Sequence, residues 1–410
     1  MTRAFLGAAA DRYARSNAAT LRWMLARPPL HGQYLNTKLN PVTLKDYGPG
    51  DGWRGPDHVY GWIQGRGLEA LAVHADAFAG TDPSLSQALD ERGRALMAVL
   101  DQLRARDGHA YFAYDAQMRP IRFAEDGTTV AQPTAPEIYT YSDCFFAKGL
   151  VAASARYDRA SLPRHVEAFR RVVAAIEDGR FQMDEKRPLS AESIAAELDD
   201  FGPRMIALGA AGMMSRAGLR DEATAYADRF IAHILDRHLD TRSGLLRNAP
   251  GLDACNVGHA IEFVGFALDY LDADADPALI KTLEEVLLAS VRLGLKGPAI
   301  RLVVSAETGT PISPYCPWWS LPETIRAAAL CWERTRSDAV LAVWQRCDEI
   351  FFSDYWRPEA SIAYQCRTED GPIDYVPATP DLDPGYHTGL SLLAAIDMID
   401  RLGSAPQHLE

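Results

Sequence analysis

The segment from Gly258 to Arg292 reads GHAIEFVGFALDYLDADADPALIKTLEEVLLASVR. Between 258 and 272 the apolar residues point almost everywhere around a helix, the pattern of a helix covered on all sides. A short link, 273–276, carries Asp274 and leads into a second helix at 277–292. A link of that length makes the two helices antiparallel neighbours.

The same grammar repeats along the chain. Helical periodicity is abundant, as in Val166, Phe169, Val173 and Ile176, or Leu89, Leu96, Leu100 and Leu103. It recurs in Tyr226, Phe230 and Ile234, and in Leu390, Leu393, Ile396 and Ile399. Strand signals are few and short, the best being AIRLVV at 299–304. The spacing predicts twelve helices: 4–26, 58–78, 85–104, 142–158, 163–177, 203–217, 221–236, 258–272, 277–292, 321–335, 338–351 and 388–402. Short links (79–84, 159–162, 218–220, 273–276, 336–337) alternate with long ones (27–57, 105–141, 178–202, 237–257, 293–320, 352–387). That alternation is an architectural repeat without sequence repeat. It predicts an all-α chain whose six helix pairs close into a ring, a six-hairpin toroid or (α/α)6 barrel, as one domain over 1–410. Helices 58–78, 142–158, 203–217, 258–272, 321–335 and 388–402 form the inner layer. Helix 163–177, plainly amphipathic, belongs outside. The inner helices all run one way, so their N-termini and the long loops share one rim. Helix N-termini favour developing negative charge, and long loops in a compact domain are usually functional.

Composition narrows the function. Hydrophobic residues are 48% of 410, enough for a large core. The formal charge is −13, from 42 Lys+Arg against 55 Asp+Glu. That balance argues against nucleic acid and anionic membrane as partners. Cys144, Cys255, Cys316, Cys331, Cys347 and Cys366 form no C-x-x-C pair. They read as reduced core thiols and imply a cytoplasmic setting. The N-terminal apolar run is too short for a signal peptide, and no apolar stretch approaches a membrane span. Leu409 and Glu410 read as a cloning remnant. There is no G-x-x-x-x-G-K-[ST], no G-x-G-x-x-G after a strand, no H-E-x-x-H and no G-x-S-x-G. Phosphate transfer, dinucleotide redox and triad hydrolysis lose support.

Unusual polar residues gather at the predicted rim. His259 and Glu262 stand at i and i+3, on one helix face, where the carboxylate can orient the imidazole. A capped helix with a merely hydrogen-bonded histidine would look the same. His387 opens the last inner helix and supplies a second imidazole, the side chain best poised for proton transfer near neutral pH. Arg66 lies in the first inner helix and must meet a carboxylate or an anionic ligand. Trp318 and Trp319 precede Glu323 and could stack on a sugar ring or simply fill the core. No second H-x-x-E or E-x-x-H pair accompanies the first, so no metal is expected, and no cofactor.

At these positions the chain resembles the N-acylglucosamine 2-epimerase family. Gln64-Gly65-Arg66 looks like its Q-G-R block, and Tyr141-Ser142-Asp143-Cys144-Phe145 is similar to its F-S-E-C-F block, with Asp for Glu. Pro203-Arg204-Met205 resembles P-M-M. Asn256-Val257-Gly258-His259 with Glu262 resembles N-P-G-H-x-x-E, with Val257 where Pro is usual. Trp318-Trp319 and Glu323 resemble W-W-x-x-x-E, and His387 falls where the family places its second histidine. The resemblance implies metal-free proton transfer on a sugar, with ring opening and removal of the proton α to the carbonyl. His259 and His387 would be the acid–base pair, Arg66 would stabilise the enediolate, and Glu262 and Glu323 would orient the histidines or assist ring opening. Tyr60, Gln64, Asp143, Asn256, Trp318 and Trp319 would contact the substrate. The expected reaction is 2-epimerisation of a free or N-acylated aldohexose. Aldose–ketose isomerisation is the alternative; a glycoside hydrolase using Asp143 and Glu323, or a non-catalytic sugar-binding protein, ranks below. The expected partner is a small sugar, and a homodimer is compatible. Two departures concern specificity: Pro322 just before Glu323, and a 293–320 loop without the family's Asp- and Gly-rich segment.

Overall fold

The computed structural model describes residues 2–124, 126–375 and 379–404, so Leu409 and Glu410 lie outside the described residues. The chain divides into two compact units, one of residues 22–234 and 374–386, the other of residues 1–21, 235–373 and 387–410. Helix α1 (Thr2–Ala26) runs from the second of these into the first.

The unit of residues 22–234 contains α2 (Gly61–Ala77), α3 (Pro83–Asp107), α4 (Tyr141–Tyr157), α5 (Leu162–Glu177), the short α6 (Ala191–Ala195), α7 (Gly202–Leu208), α8 (Ala211–Arg216) and most of α9 (Arg220–His238). Local chemistry sets the boundaries. Asp82 accepts the Leu85 N–H and Pro83 occupies the first turn of α3, which ends at Gly108 with a left-handed φ of 76°. On α5 the predicted stripe of Val166, Phe169, Val173 and Ile176 is buried. The predicted helix 203–217 is broken at Gly209-Ala210 into α7 and α8. Helices α2 and α4 cross where neither carries a side chain. A Cβ on Gly65 would lie 2.6 Å from the Phe145 carbonyl carbon, and one on Gly149 would lie 2.4 Å from the Gly65 carbonyl oxygen. Glycine at both positions is a condition of the crossing.

The other unit contains α10 (Val257–Tyr270), α11 (Pro277–Gly294), α12 (Ser320–Thr335), α13 (Asp338–Ile350) and α14 (Ser391–Ser404). The opening segment behaves as expected. Helix α10 buries its apolar residues on every side, and Asp276 caps α11 with Pro277 behind it. Helix α12 packs against α10 and α14. One π turn, Tyr386–Leu390, precedes α14. Its extra residue shifts the helical phase. On α14 the deepest residues are Ser391, Leu392, Ala395 and Met398, while of the predicted stripe Leu393 is buried and Leu390, Ile396 and Ile399 are half-buried.

Eleven of the twelve predicted segments form as single helices, with ends moved by a few residues, and 203–217 forms as two. The strand candidate 299–304 resolves into two separate pieces, Ala299–Ile300 and Val304–Ser305. Four inner helices are entered from two-residue strands. Val59–Tyr60 pairs with Ala113–Tyr114 before α2, and Tyr139–Thr140 pairs with Phe181–Gln182 before α4. Ala254–Cys255 pairs with Val304–Ser305 before α10, and Cys316–Pro317 pairs with Cys366–Arg367 before α12. The six cysteines are free and buried. Among the described residues no helix is long and apolar enough to cross a membrane.

Candidate active site

The N-terminal turns of α10 and α12 and the π turn before α14 converge within one unit. They bring together Glu262, Glu323 and His387, all buried. The Nδ1 of His387 lies 3.0 Å from Glu323 Oε1 and 3.8 Å from Glu262 Oε1. Arg326, one turn after Glu323, brings its Nη1 to 3.1 Å from Glu323 Oε2. Burial acts to raise the Glu323 carboxyl, but the Arg326 charge and the His387 hydrogen bond outweigh it and hold the group below the ordinary carboxylate range. An ionised carboxylate only accepts. His387 therefore donates its Nδ1–H to Glu323, so that Nε2 is the nitrogen that can take up or release a proton.

Trp319 ties the two candidate histidines to one surface. Its ring lies 5.5 Å from that of His259 and 5.6 Å from that of His387, inclined 33° to each. Trp318 meets His387 edge-on at 6.1 Å and donates its indole N–H to Thr388 Oγ1 at 3.1 Å. Gly258 lets Trp319 press onto the start of α10: a Cβ there would sit 2.4 Å from the indole Cη2. Pro322 falls in the first turn of α12, where proline is tolerated, and leaves Glu323 in helical register. Asn256 caps α10, accepting the His259 N–H at 3.1 Å. The structure thus gives Asn256 a local structural task.

The remaining predicted residues, Tyr60, Gln64, Arg66 and Asp143, belong to the other unit. The Arg66 guanidinium carbon lies 4.1 Å from the centre of the Phe145 ring, 5.2 Å from that of Trp62 and 5.5 Å from that of Tyr386, a cation in an aromatic box. Beside it the fully buried Lys148 donates to Tyr386 Oη at 2.5 Å and lies 3.7 Å from Glu69 Oε2. Three predicted substrate contacts are committed within the protein. Gln64 clamps the backbone of Leu35, accepting its N–H at 2.8 Å and donating to its C=O at 3.1 Å. Tyr60 is fully buried and donates to the Trp53 carbonyl at 2.8 Å. Asp143 forms a capping box with Thr140 and also accepts the Ala110 N–H at 2.9 Å and a hydrogen bond with His109 at 3.2 Å. With its oxygens so engaged, Asp143 is poorly placed to be the acid of a hydrolase.

Other charged neighbours of these groups escape the sequence reading. Arg326 carried a signal, since it follows Glu323 by three residues on a helix. Lys148 lies beside a named block but has no distinguishing spacing. As for a cation, Glu262, Glu323 and His387 offer ligand atoms within 4.8 Å of one another. A metal there would have to compete with Arg326 for Glu323.

No family model matches the chain, and no curated protein sequence matches it. Solved structures do resemble it. A cellobiose 2-epimerase from Bacillus thermoamylovorans superposes with a TM-score of 0.73 at 13% identity, over 95% of this chain and 98% of that one. A cellobiose 2-epimerase from Spirochaeta thermophila gives 0.73 at 14% identity, over 98% and 100%. A D-mannose isomerase gives 0.69 at 11% identity, over 96% and 97%. At such identities the likeness establishes the fold, which is the all-α, α/α-barrel architecture expected from the alternation of links.

Proposed function

We propose that this chain is a carbohydrate epimerase of the N-acylglucosamine 2-epimerase type, acting by proton transfer at the carbon next to an aldehyde. The observation that carries the reading is His387, buried, with its Nδ1 against Glu323 and Glu262 and its ring beside Trp319. A ring-opened aldose has an acidified C2–H. The Nε2 of one imidazole takes that proton, and the electrons move into an enediolate. The other imidazole returns a proton to C2 from the opposite side, giving the C2 epimer. General acid–base help of this kind contributes about 10²- to 10⁴-fold. Glu323 keeps His387 in the productive tautomer and stabilises its imidazolium once the proton is taken. Family resemblance assigns Arg66 to the enediolate oxygen, and a guanidinium suits a developing oxyanion. No step requires a metal. The fold likeness to two cellobiose 2-epimerases supports the reading, as does the order of the six sequence blocks.

A second reading is aldose–ketose isomerisation, in which one base shuttles a proton between C1 and C2. The unequal setting of the histidines favours it: His387 is buried against two carboxylates, whereas His259 is partly exposed. The fold likeness to a D-mannose isomerase is consistent with it.

The test is incubation of the protein with D-mannose, N-acetyl-D-glucosamine and cellobiose in deuterated water, products being resolved by chromatography. A C2 epimer labelled at C2 is expected, with loss of turnover in His387→Ala and in His259→Ala. A ketose product selects the isomerase. Glycosidic cleavage, or unlabelled sugar at high enzyme concentration, refutes both.

A further inference from the structure

We infer that Glu185 is a positioning residue that fixes the guanidinium of Arg66 through the indole of Trp62. The inference rests on the reading of Arg66 as the group that meets the oxyanion.

Glu185 lies in the loop after the Phe181–Gln182 strand. Parallel pairing of that strand with Tyr139–Thr140 carries the loop to the start of α4. There the carboxylate is buried and takes three donors. Its Oε1 accepts the Trp62 indole N–H at 2.7 Å and the Ser142 backbone N–H at 3.0 Å, and its Oε2 accepts the Ser142 hydroxyl at 2.6 Å. Burial pushes this carboxyl up to about 7, although the Ser142 and Trp62 donors pull against it. A buried carboxylate is a demanding group to keep in a protein interior. A helix cap alone does not require one.

What the carboxylate controls is the indole. Trp62 sits among Phe112, Tyr141 and Phe145, with ring centres at 5.4, 5.4 and 5.6 Å, and Glu185 fixes which edge of the indole faces it. The Trp62 ring is in turn one wall of the box around Arg66, with Phe145 as the nearest wall. Freed from Glu185, the indole can turn, and the guanidinium loses the surface that orients its donor edge. Arginine recognition of an oxyanion depends on that planar fork.

Three variants of the full chain test the inference: Trp62→Phe and Glu185→Leu remove the hydrogen bond from either side, and Glu185→Gln keeps an acceptor for the indole. Crystal structures come first. Arg66 is expected to leave its place over Phe145, or to occupy two rotamers, in Trp62→Phe and Glu185→Leu, and to stay in Glu185→Gln. A guanidinium unmoved in both disrupting variants overturns the inference, whatever the turnover. Kinetics on the most reactive of the three sugars follow. The disrupting variants should lose about 10- to 100-fold in kcat, the scale of a misplacement of about 1 Å, with KM within about threefold, and Glu185→Gln should be rescued. Full kcat in Trp62→Phe also overturns it, and this gentler variant decides if Glu185→Leu does not fold. The two readings fail separately. Undiminished turnover in Arg66→Ala overturns the role of Arg66, whereas a crippled Arg66→Ala beside a fully active Glu185→Leu overturns only the role of Glu185.

Discussion

Replacing Gly258 with alanine would add one methyl group where the indole of Trp319 already lies. The added Cβ would be 2.4 Å from Cη2, 2.7 Å from Cζ3 and 2.8 Å from the Ser320 hydroxyl. Carbon atoms pack at about 3.5 Å or more, so the ring must retreat by about 1 Å. Overpacking of this kind costs about 1–3 kcal/mol. Alanine in place of glycine inside a helix returns up to about 1 kcal/mol. The net expectation is a loss of about 0–3 kcal/mol in unfolding free energy. Activity should suffer far more than stability. Trp319 is the surface against which both His259 and His387 rest, and a shift of about 1 Å near reacting groups costs roughly 100-fold. Urea unfolding gives the first quantity, and the rate of deuterium incorporation at C2 gives the second. Wild-type exchange in a folded Gly258→Ala protein would refute the idea that Trp319 sets the histidines. A large stability loss with proportionate activity loss would make the contact one of packing alone.

Other substitutions probe different parts of the structure. In Glu323→Gln the acceptor of the His387 proton is weakened and the tautomer is no longer enforced, so kcat should fall about 100-fold or more by analogy with the loss of an orienting carboxylate, while KM changes little; a wild-type rate would refute the orienting role of Glu323. Asn256→Ala removes the cap of α10 and should cost about 1 kcal/mol, measured by urea unfolding; an unchanged KM would confine Asn256 to holding the helix, and a raised KM would add a contact with the sugar. Glu185 carries a linkage with a definite sign. Its carboxyl moves from an ordinary 4.5 up to about 7, so the folded state holds a proton that the unfolded chain releases in between. Stability from this group is full below pH 4.5 and is lost as pH rises through 7, by about 3 kcal/mol. Between pH 4.5 and 8 the wild type should therefore weaken relative to Glu185→Gln, and parallel stability curves would contradict this.

The helices were legible because their burial stripes are written in sequence at intervals of three and four, as on α5. Two features escaped for physical reasons. The break at Gly209-Ala210 lies in a run of small apolar residues with no punctuation beyond Gly209 and Gly212, and the π turn before α14 is an insertion of backbone that leaves no compositional mark. In the candidate site, the short blocks pointed to segments without revealing what each side chain does there. Asn256 precedes a helix and Asp143 follows Thr140 by three, both ordinary capping arrangements. Residue type and spacing alone pointed as well to a helix cap as to a sugar contact. Gln64 gave no such clue, because its partner is the backbone of Leu35, far off in sequence. The carboxylates Glu262 and Glu323 converge on His387 through three separate helices, and only the resemblance linked them beforehand.

The two-residue strands that lead into α10 and α12 separate the helices from the loops they carry. Each fastens a long loop immediately before the helix that carries the polar groups, and the stretch 306–315 between Val304–Ser305 and Cys316–Pro317 is pinned further, the Leu302 N–H reaching the Tyr315 carbonyl at 2.8 Å and the Ile312 N–H the Val303 carbonyl at 2.9 Å. Lengthening, trimming or rewriting such a span alters what can approach without disturbing the helix behind it. A scaffold sewn in this manner can diverge in the molecules it accepts while its inner register stays still. Segment 293–320, which ends just ahead of Glu323, is the span on which such changes would act first.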